Sequence, residues 1–173
     1  TDPSTDQLVF EEQDAGFFMG VGKTQSGDTI VIDIHDHETS EVWTIPANDP
    51  TAEPVLIAPR ETGIEYSIDD HGDTFYILTN AGDAEDFKIV TAPKASPGRD
   101  NWTDLVPHKP GCLVLSHCVY KTFMTRLERE DGLPRIVIRR LADNIEHEIA
   151  FDEEAYSLGM GGGYEFDTST IRF

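Results

Sequence analysis

Ser116, His117 and Cys118 stand side by side, and nucleophilic triads are assembled from these residue types. In an extended chain, however, neighbouring side chains point to opposite faces, so a nucleophile and its base cannot meet from adjacent positions. A hydrolase nucleophile also needs a Gly-x-Ser-x-Gly elbow, whose glycines permit a strained strand-to-helix turn. No serine here has glycine at both positions: Ser96 has Gly98 after it but Lys94 before it, in a Pro-rich loop. No catalytic residue is expected on this chain. His35-Asp36-His37-Glu38 places two imidazoles on one face of an extended segment, a geometry that can chelate. No third ligand follows at fixed spacing, and the segment reads as a turn. Asp69-Asp70-His71-Gly72-Asp73 gathers oxygen ligands without the full calcium-loop pattern. It reads as a hairpin turn, where Asp and Gly relieve awkward backbone angles. Gly161-Gly162-Gly163 lacks the helix and lysine of a phosphate loop. Neither a metal nor a cofactor is expected.

Short runs of β-formers, punctuated by turn residues, would have to position these groups. They are Phe17–Gly22, Thr29–Ile34, Glu41–Ile45 and Pro54–Ala58, then Ile64–Ile68, Thr74–Leu78, Phe87–Thr91 and Leu105–Val106. A third group holds Cys112–Tyr120, Phe123–Glu128, Pro134–Arg139 and His147–Phe151, and a last one only Tyr156–Met160 and Thr170–Phe173. Spacings near ten residues indicate an antiparallel all-β fold. A longer period lies over the short one: Ile30, Phe75, Phe123 and Ile171, each in the second strand of its group, recur at 45, 48 and 48 residues. Four strands per such period are expected of a β-propeller blade, whereas a sandwich or jelly roll gives no reason for a repeating unit. The predicted fold is all-β, a partial β-propeller of about three four-stranded blades plus the start of another. Approximate blades fall at 8–58, 59–110 and 111–154, with an incomplete one at 155–173. Closed propellers typically need 4–8 blades. The isolated segment, with open edges, is therefore expected to associate with a second copy or to close on itself imperfectly. Trp43, Trp102 and the other aromatic rings are expected to pack blade against blade.

Composition limits the partners. The chain carries 33 acidic residues against 13 Lys plus Arg, a net charge of −20. Such a surface repels phosphate backbones and anionic lipid, so neither nucleic acid nor membrane is an expected partner, while cationic peptides are attracted. No apolar run approaches the length of a membrane span. Cys112 and Cys118 are six residues apart in one strand-like run, about 20 Å if extended and beyond disulfide reach. Two unpaired thiols fit a reducing compartment, and cytoplasmic localisation is expected. The chain opens without Met and stops on Ile171-Arg172-Phe173 inside a strand-like run, which reads as a piece of a longer protein.

Several segments resemble the propeller of prolyl oligopeptidase-type serine peptidases, and in particular the oligopeptidase B (protease II) branch. The resemblance is clearest over Arg60-Glu61-Thr62-Gly63-Ile64-Glu65-Tyr66-Ser67-Ile68-Asp69 and Gly72-Asp73-Thr74-Phe75-Tyr76-Ile77-Leu78-Thr79-Asn80. It continues through Asp86-Phe87-Lys88-Ile89-Val90, Ala92-Pro93, Trp102 and Leu105-Val106-Pro107. Val9-Phe10-Glu11-Glu12 and Thr39-Ser40-Glu41-Val42 upstream, and Leu133 with Ile136-Val137-Ile138 downstream, look like the same family. In that family a seven-bladed propeller covers an α/β-hydrolase domain and restricts access to short peptides. The resemblance implies that this chain is roughly the later half of the propeller, with the catalytic groups on a hydrolase domain elsewhere in the parent. Cleavage after Arg or Lys is implied for that parent. Short basic peptides and the hydrolase domain are then the expected partners, and Asp69, Asp70 and His117 are candidates for the substrate channel. The main alternative is a stand-alone propeller module that binds a peptide or protein on its rim. A weaker one is a sugar- or metal-dependent propeller enzyme using His35 and His37.

Overall fold

The structure, a computed structural model, describes residues 2–149, 151, 156–162 and 165–173. Twelve strands form three four-stranded antiparallel sheets, each with its strands in chain order. The first holds β1 (Phe18–Lys23), β2 (Thr29–His35), β3 (Ser40–Pro46) and β4 (Val55–Leu56). The second holds β5 (Tyr66–His71), β6 (Thr74–Thr79), β7 (Lys88–Pro93) and β8 (Thr103–Val106). The third holds β9 (Cys112–Val119), β10 (Phe123–Glu130), β11 (Leu133–Arg140) and β12 (Glu146–Glu148). Ile30, Phe75 and Phe123 each lie in the second strand of their sheet. The long period is therefore the blade repeat. No helix among the described residues is long and apolar enough to cross a membrane.

The middle sheet shows why the blades stack. Strand β6 alternates two apolar sets because successive side chains leave a strand on opposite faces. Phe75 and Ile77 join Val90 and Ala92 in packing against Val42, Ile57 and Ala58 of the first blade. Leu78, with Ile89, packs instead against Val114, Val119 and Met124 of the third, where Tyr76 also lies. Ile77 and Ile89 are fully buried. Burying each such side chain is worth about 2 kcal/mol, which a blade without neighbours would forgo on both faces. Tyr66 ties the first two blades with its hydroxyl. It accepts from the Val42 amide at 2.8 Å and the Ala58 amide at 3.2 Å, and donates to the Ala58 carbonyl at 2.6 Å. Burial pushes its pKa up to about 12.

Two expectations are corrected. Asp69, Asp70 and His71 do not form a turn: they are the end of β5, paired with Tyr76, Phe75 and Thr74. The turn shrinks to Gly72-Asp73, since Gly72 at φ +56° reverses the chain in two residues. Secondly, neither Tyr156–Met160 nor Thr170–Phe173 is a strand. Beside them, the Gly161 N–H donates to the Arg172 carbonyl at 2.9 Å, but a single backbone bond is no ladder. Ile171 instead helps line a cavity on the third blade with Phe123, Ile138 and Ile145. The expected blade boundary at 154/155 and Gly163 lie outside the described residues.

Candidate functional site

Strand β5 touches β9 directly, making one wall, and residues of the first strands β1, β5 and β9 come together at one end of this wall. Two cavities open along it. The larger, about 460 Å³, is lined by Asp33, His35 and Asp36 of the first blade, Glu65 and Ser67 of the second, and Leu115 of the third. The smaller, about 270 Å³, is lined by Lys23, Gln25, Ser67, Asp69, Ser116 and His117 among others. They share Ser67, Leu78 and Leu115, so they adjoin along the middle of β5 and β9.

Asp69 sits where the three blades meet, and both carboxylate oxygens are occupied. Oδ1 accepts from the Gln25 amide of the first blade and from the Asp70 amide, each at 2.9 Å. Oδ2 accepts from the Val119 amide of the third blade at 2.6 Å. Burial raises the Asp69 pKa, against the pull of the Val119 amide and of His117. His117 reaches across from the third blade, its Nε2 at 3.1 Å from the Tyr76 carbonyl oxygen. A carbonyl can only accept, so Nε2 carries the proton. Burial lowers the His117 pKa, with Asp69 acting in the opposite sense. The structure thus brings Asp69 and His117 together on the wall of the smaller cavity.

Asp70 points elsewhere. Its carboxylate is buried between the first two blades, accepting from the hydroxyls of Ser26 and Thr29 and pairing with Lys94. Burial alone would lift its pKa, but Lys94, Ser26 and Thr29 outweigh it and hold the carboxyl below its ordinary value. This is a clamp between blades.

The remaining candidates of the sequence form neither a metal site nor a triad among the described residues. His35 and His37 flank the ring of Phe18, with centroids 5.8 and 6.3 Å away, and His35 lies 3.8 Å from Asp33. Among the described residues no group of three or more His, Cys, Asp or Glu is placed to hold a metal. The Cys118 thiol is pushed up to about 11 by burial, and burial raises Cys112 as well, which disfavours the thiolate at both. Ser116 and Cys118 flank His117 without forming a triad.

Sequence reasoning did not single out Lys23, Ser67, Asp33 or Glu65. The signal available was nearness along β5: Ser67 is two residues from Asp69, and both line the smaller cavity.

Three four-stranded sheets in chain order, packed blade on blade, match a known domain. Over residues 1–173 the sequence matches the family described as prolyl oligopeptidase, N-terminal beta-propeller domain. The chain belongs to this family. Dipeptidyl aminopeptidase BI of Pseudoxanthomonas mexicana is 37% identical over 173 residues, covering 100% of this chain and 24% of that protein. Protease 2 of Moraxella lacunata is 26% identical over 171 residues, covering 99% and 24%. Among solved structures, oligopeptidase B from Trypanosoma brucei with covalently bound antipain, in a closed form, superimposes with a TM-score of 0.84 at 29% identity. That match covers 92% of this chain and 24% of the other. The chain therefore spans about a quarter of the length of these relatives. What it holds is a segment of the propeller domain, and neither a hydrolase layer nor a nucleophile elbow lies in it.

Proposed function

We propose that this propeller segment is the non-catalytic filter of a longer serine oligopeptidase of the oligopeptidase B type. On this reading it is roughly the later half of a seven-bladed propeller, and it admits short, basic peptides to an α/β-hydrolase domain of the same chain. The parent cleaves after Arg or Lys and works in the cytoplasm. The observation that carries the reading is the larger wall cavity. Asp33, Asp36 and Glu65 line it, and no Lys or Arg does. The Asp36 carboxylate caps its own turn by accepting from the Glu38 and Thr39 amides. The Glu65 carboxylate has no hydrogen-bond partner among the described residues. A partly enclosed mouth of one charge sign focuses its field and raises the local concentration of oppositely charged substrates.

Asp33→Asn with Glu65→Gln in the longer protein tests this, since Asp36 keeps its turn. The kcat/KM ratio of a basic to a neutral tripeptide is expected to fall about threefold or more, with a larger fall at low salt. An unchanged ratio would mean that the acids serve solvation only.

The excised chain is also proposed to self-associate. The first blade leaves Leu8, Val9, Met19 and Val21 exposed, and at the other end Ile145 of the third blade and Phe173 after it are exposed. Two different apolar ends favour head-to-tail association. Sedimentation velocity should show the average mass rising with protein concentration, and a strictly monomeric profile would refute it.

A further inference from the structure

We propose that the smaller wall cavity is a subsite for the free C-terminal carboxylate of a short peptide, with Lys23 as its anchor. This rests on the peptide-filter reading and adds a direction to it.

In a chain this acidic, a lysine without a carboxylate partner is the exception. Lys88, Lys94, Lys109 and Lys121 each pair with an acid. The Lys23 ammonium, at the end of β1, has no such partner among the described residues, and it lines the cavity. The hydroxyls of Ser67 and Ser116 line the same cavity, equally without a hydrogen-bond partner among the described residues. One ammonium and two hydroxyls are donors that a carboxylate, with two oxygens and no proton, can satisfy together.

Asp69 lies on the same wall and would repel an anion if its oxygens faced it. Those oxygens are instead committed to the amides of Gln25, Asp70 and Val119. Asp70, next to it, is paired with Lys94. Lys23 is therefore the free charge of the subsite.

Because the two cavities share Ser67, Leu78 and Leu115, they make one groove with an acidic end and a lysine end. A peptide with free termini carries the opposite polarity, so it lies with its amino end toward Asp33 and Glu65 and its carboxylate at Lys23. From Glu65 to Asp69 the wall runs about 13 Å, at roughly 3.3 Å per residue, the length of about four extended residues.

The test is an NMR titration of the 173-residue chain with Arg-Ala-Ala-Ala as free acid, with its C-terminal amide, and with Arg-Ala-Ala-Glu amide. The free acid should bind about fivefold more tightly than either amide, as expected of one partly exposed charge-assisted contact. Lys23→Met should erase that advantage while leaving amide binding unchanged, with the chain's own spectrum reporting that the fold persists. Equal binding of acid and amide overturns the subsite but leaves the filter standing, as does an advantage that survives Lys23→Met. Tight binding of the glutamate amide shows that any carboxylate suffices and overturns the assignment to the chain terminus. If none of the peptides binds, both the subsite and the filter reading fall.

Discussion

Asp70→Ala is expected to cost the fold about 3 kcal/mol, by the rule that removing one partner of a buried ion pair strands the other. The side chain is fully buried, and its two oxygens serve Ser26 and Thr29 of the first blade and Lys94 of its own. Without it the Lys94 ammonium, about a quarter exposed, loses its acid, and two hydroxyls at the blade junction lose their acceptor. Chemical denaturation monitored by Trp43 and Trp102 fluorescence should show the midpoint falling at an unchanged slope. A loss under about 0.5 kcal/mol, the range of ordinary surface substitutions, would mean that the apolar blade contacts alone hold the junction.

Glu128→Gln should be comparably costly and should also change the response to acid. Glu128 is buried on β10, its carboxylate shared by Arg126 at 2.5 Å and Arg135 at 2.8 Å. Arg126 in turn holds Glu146 at 2.7 Å, so the network ties β10 to the outer strand of its blade. Neutralising Glu128 leaves two guanidinium groups short of a charge, Arg126 nearly without solvent, for a loss of about 3 kcal/mol. The sign of the pH effect follows from the shifts. Burial would raise the Glu128 pKa, but Arg126 and Arg135 dominate and depress it, as Lys94 and the hydroxyls do for Asp70. Their unfolded values lie near 4, so between the folded and unfolded values the unfolded chain binds more protons. The stability these groups contribute is present above about pH 4 and is lost as pH falls through their lower folded values. The wild-type chain should therefore lose stability steeply below pH 4, and Glu128→Gln should show a shallower decline from a lower plateau. Parallel curves for the two proteins would show that Glu128 has the same pKa folded and unfolded.

The blades were legible because burial on both faces needs apolar residues at both parities of the central strands, and β6 and β7 supply them. The repeat of Ile30, Phe75 and Phe123 is a direct consequence of stacking, so period alone located the second strands. The acidic run at Asp69-Asp70-His71 was misread because composition alone cannot distinguish a solvated turn from a strand whose acids are satisfied across blade boundaries. Their partners, Gln25, Ser26, Thr29 and Val119, are remote in sequence. The wall of the site was half hidden for another reason. Strand β9 carries an irregularity where Leu127 pairs with Ser116 but Glu128 with Val114, leaving Leu115 as an extra residue. A bulge of this kind shifts the alternation by one, so the face that a β9 residue takes beyond it cannot be counted from a strict two-residue period. Lys23 escaped notice since its meaning lies in lacking a partner, and pairing is a property of the folded chain.

Whether this chain is the non-catalytic filter of a serine oligopeptidase is decided by hydrolysis of an Arg-containing chromogenic dipeptide. The 173-residue chain and the longer protein containing it would be assayed side by side. Cleavage by the longer protein and none by the chain alone is the expected result. Cleavage by the chain alone would contradict the claim outright, and silence in both would leave a propeller module that binds peptides without serving a hydrolase.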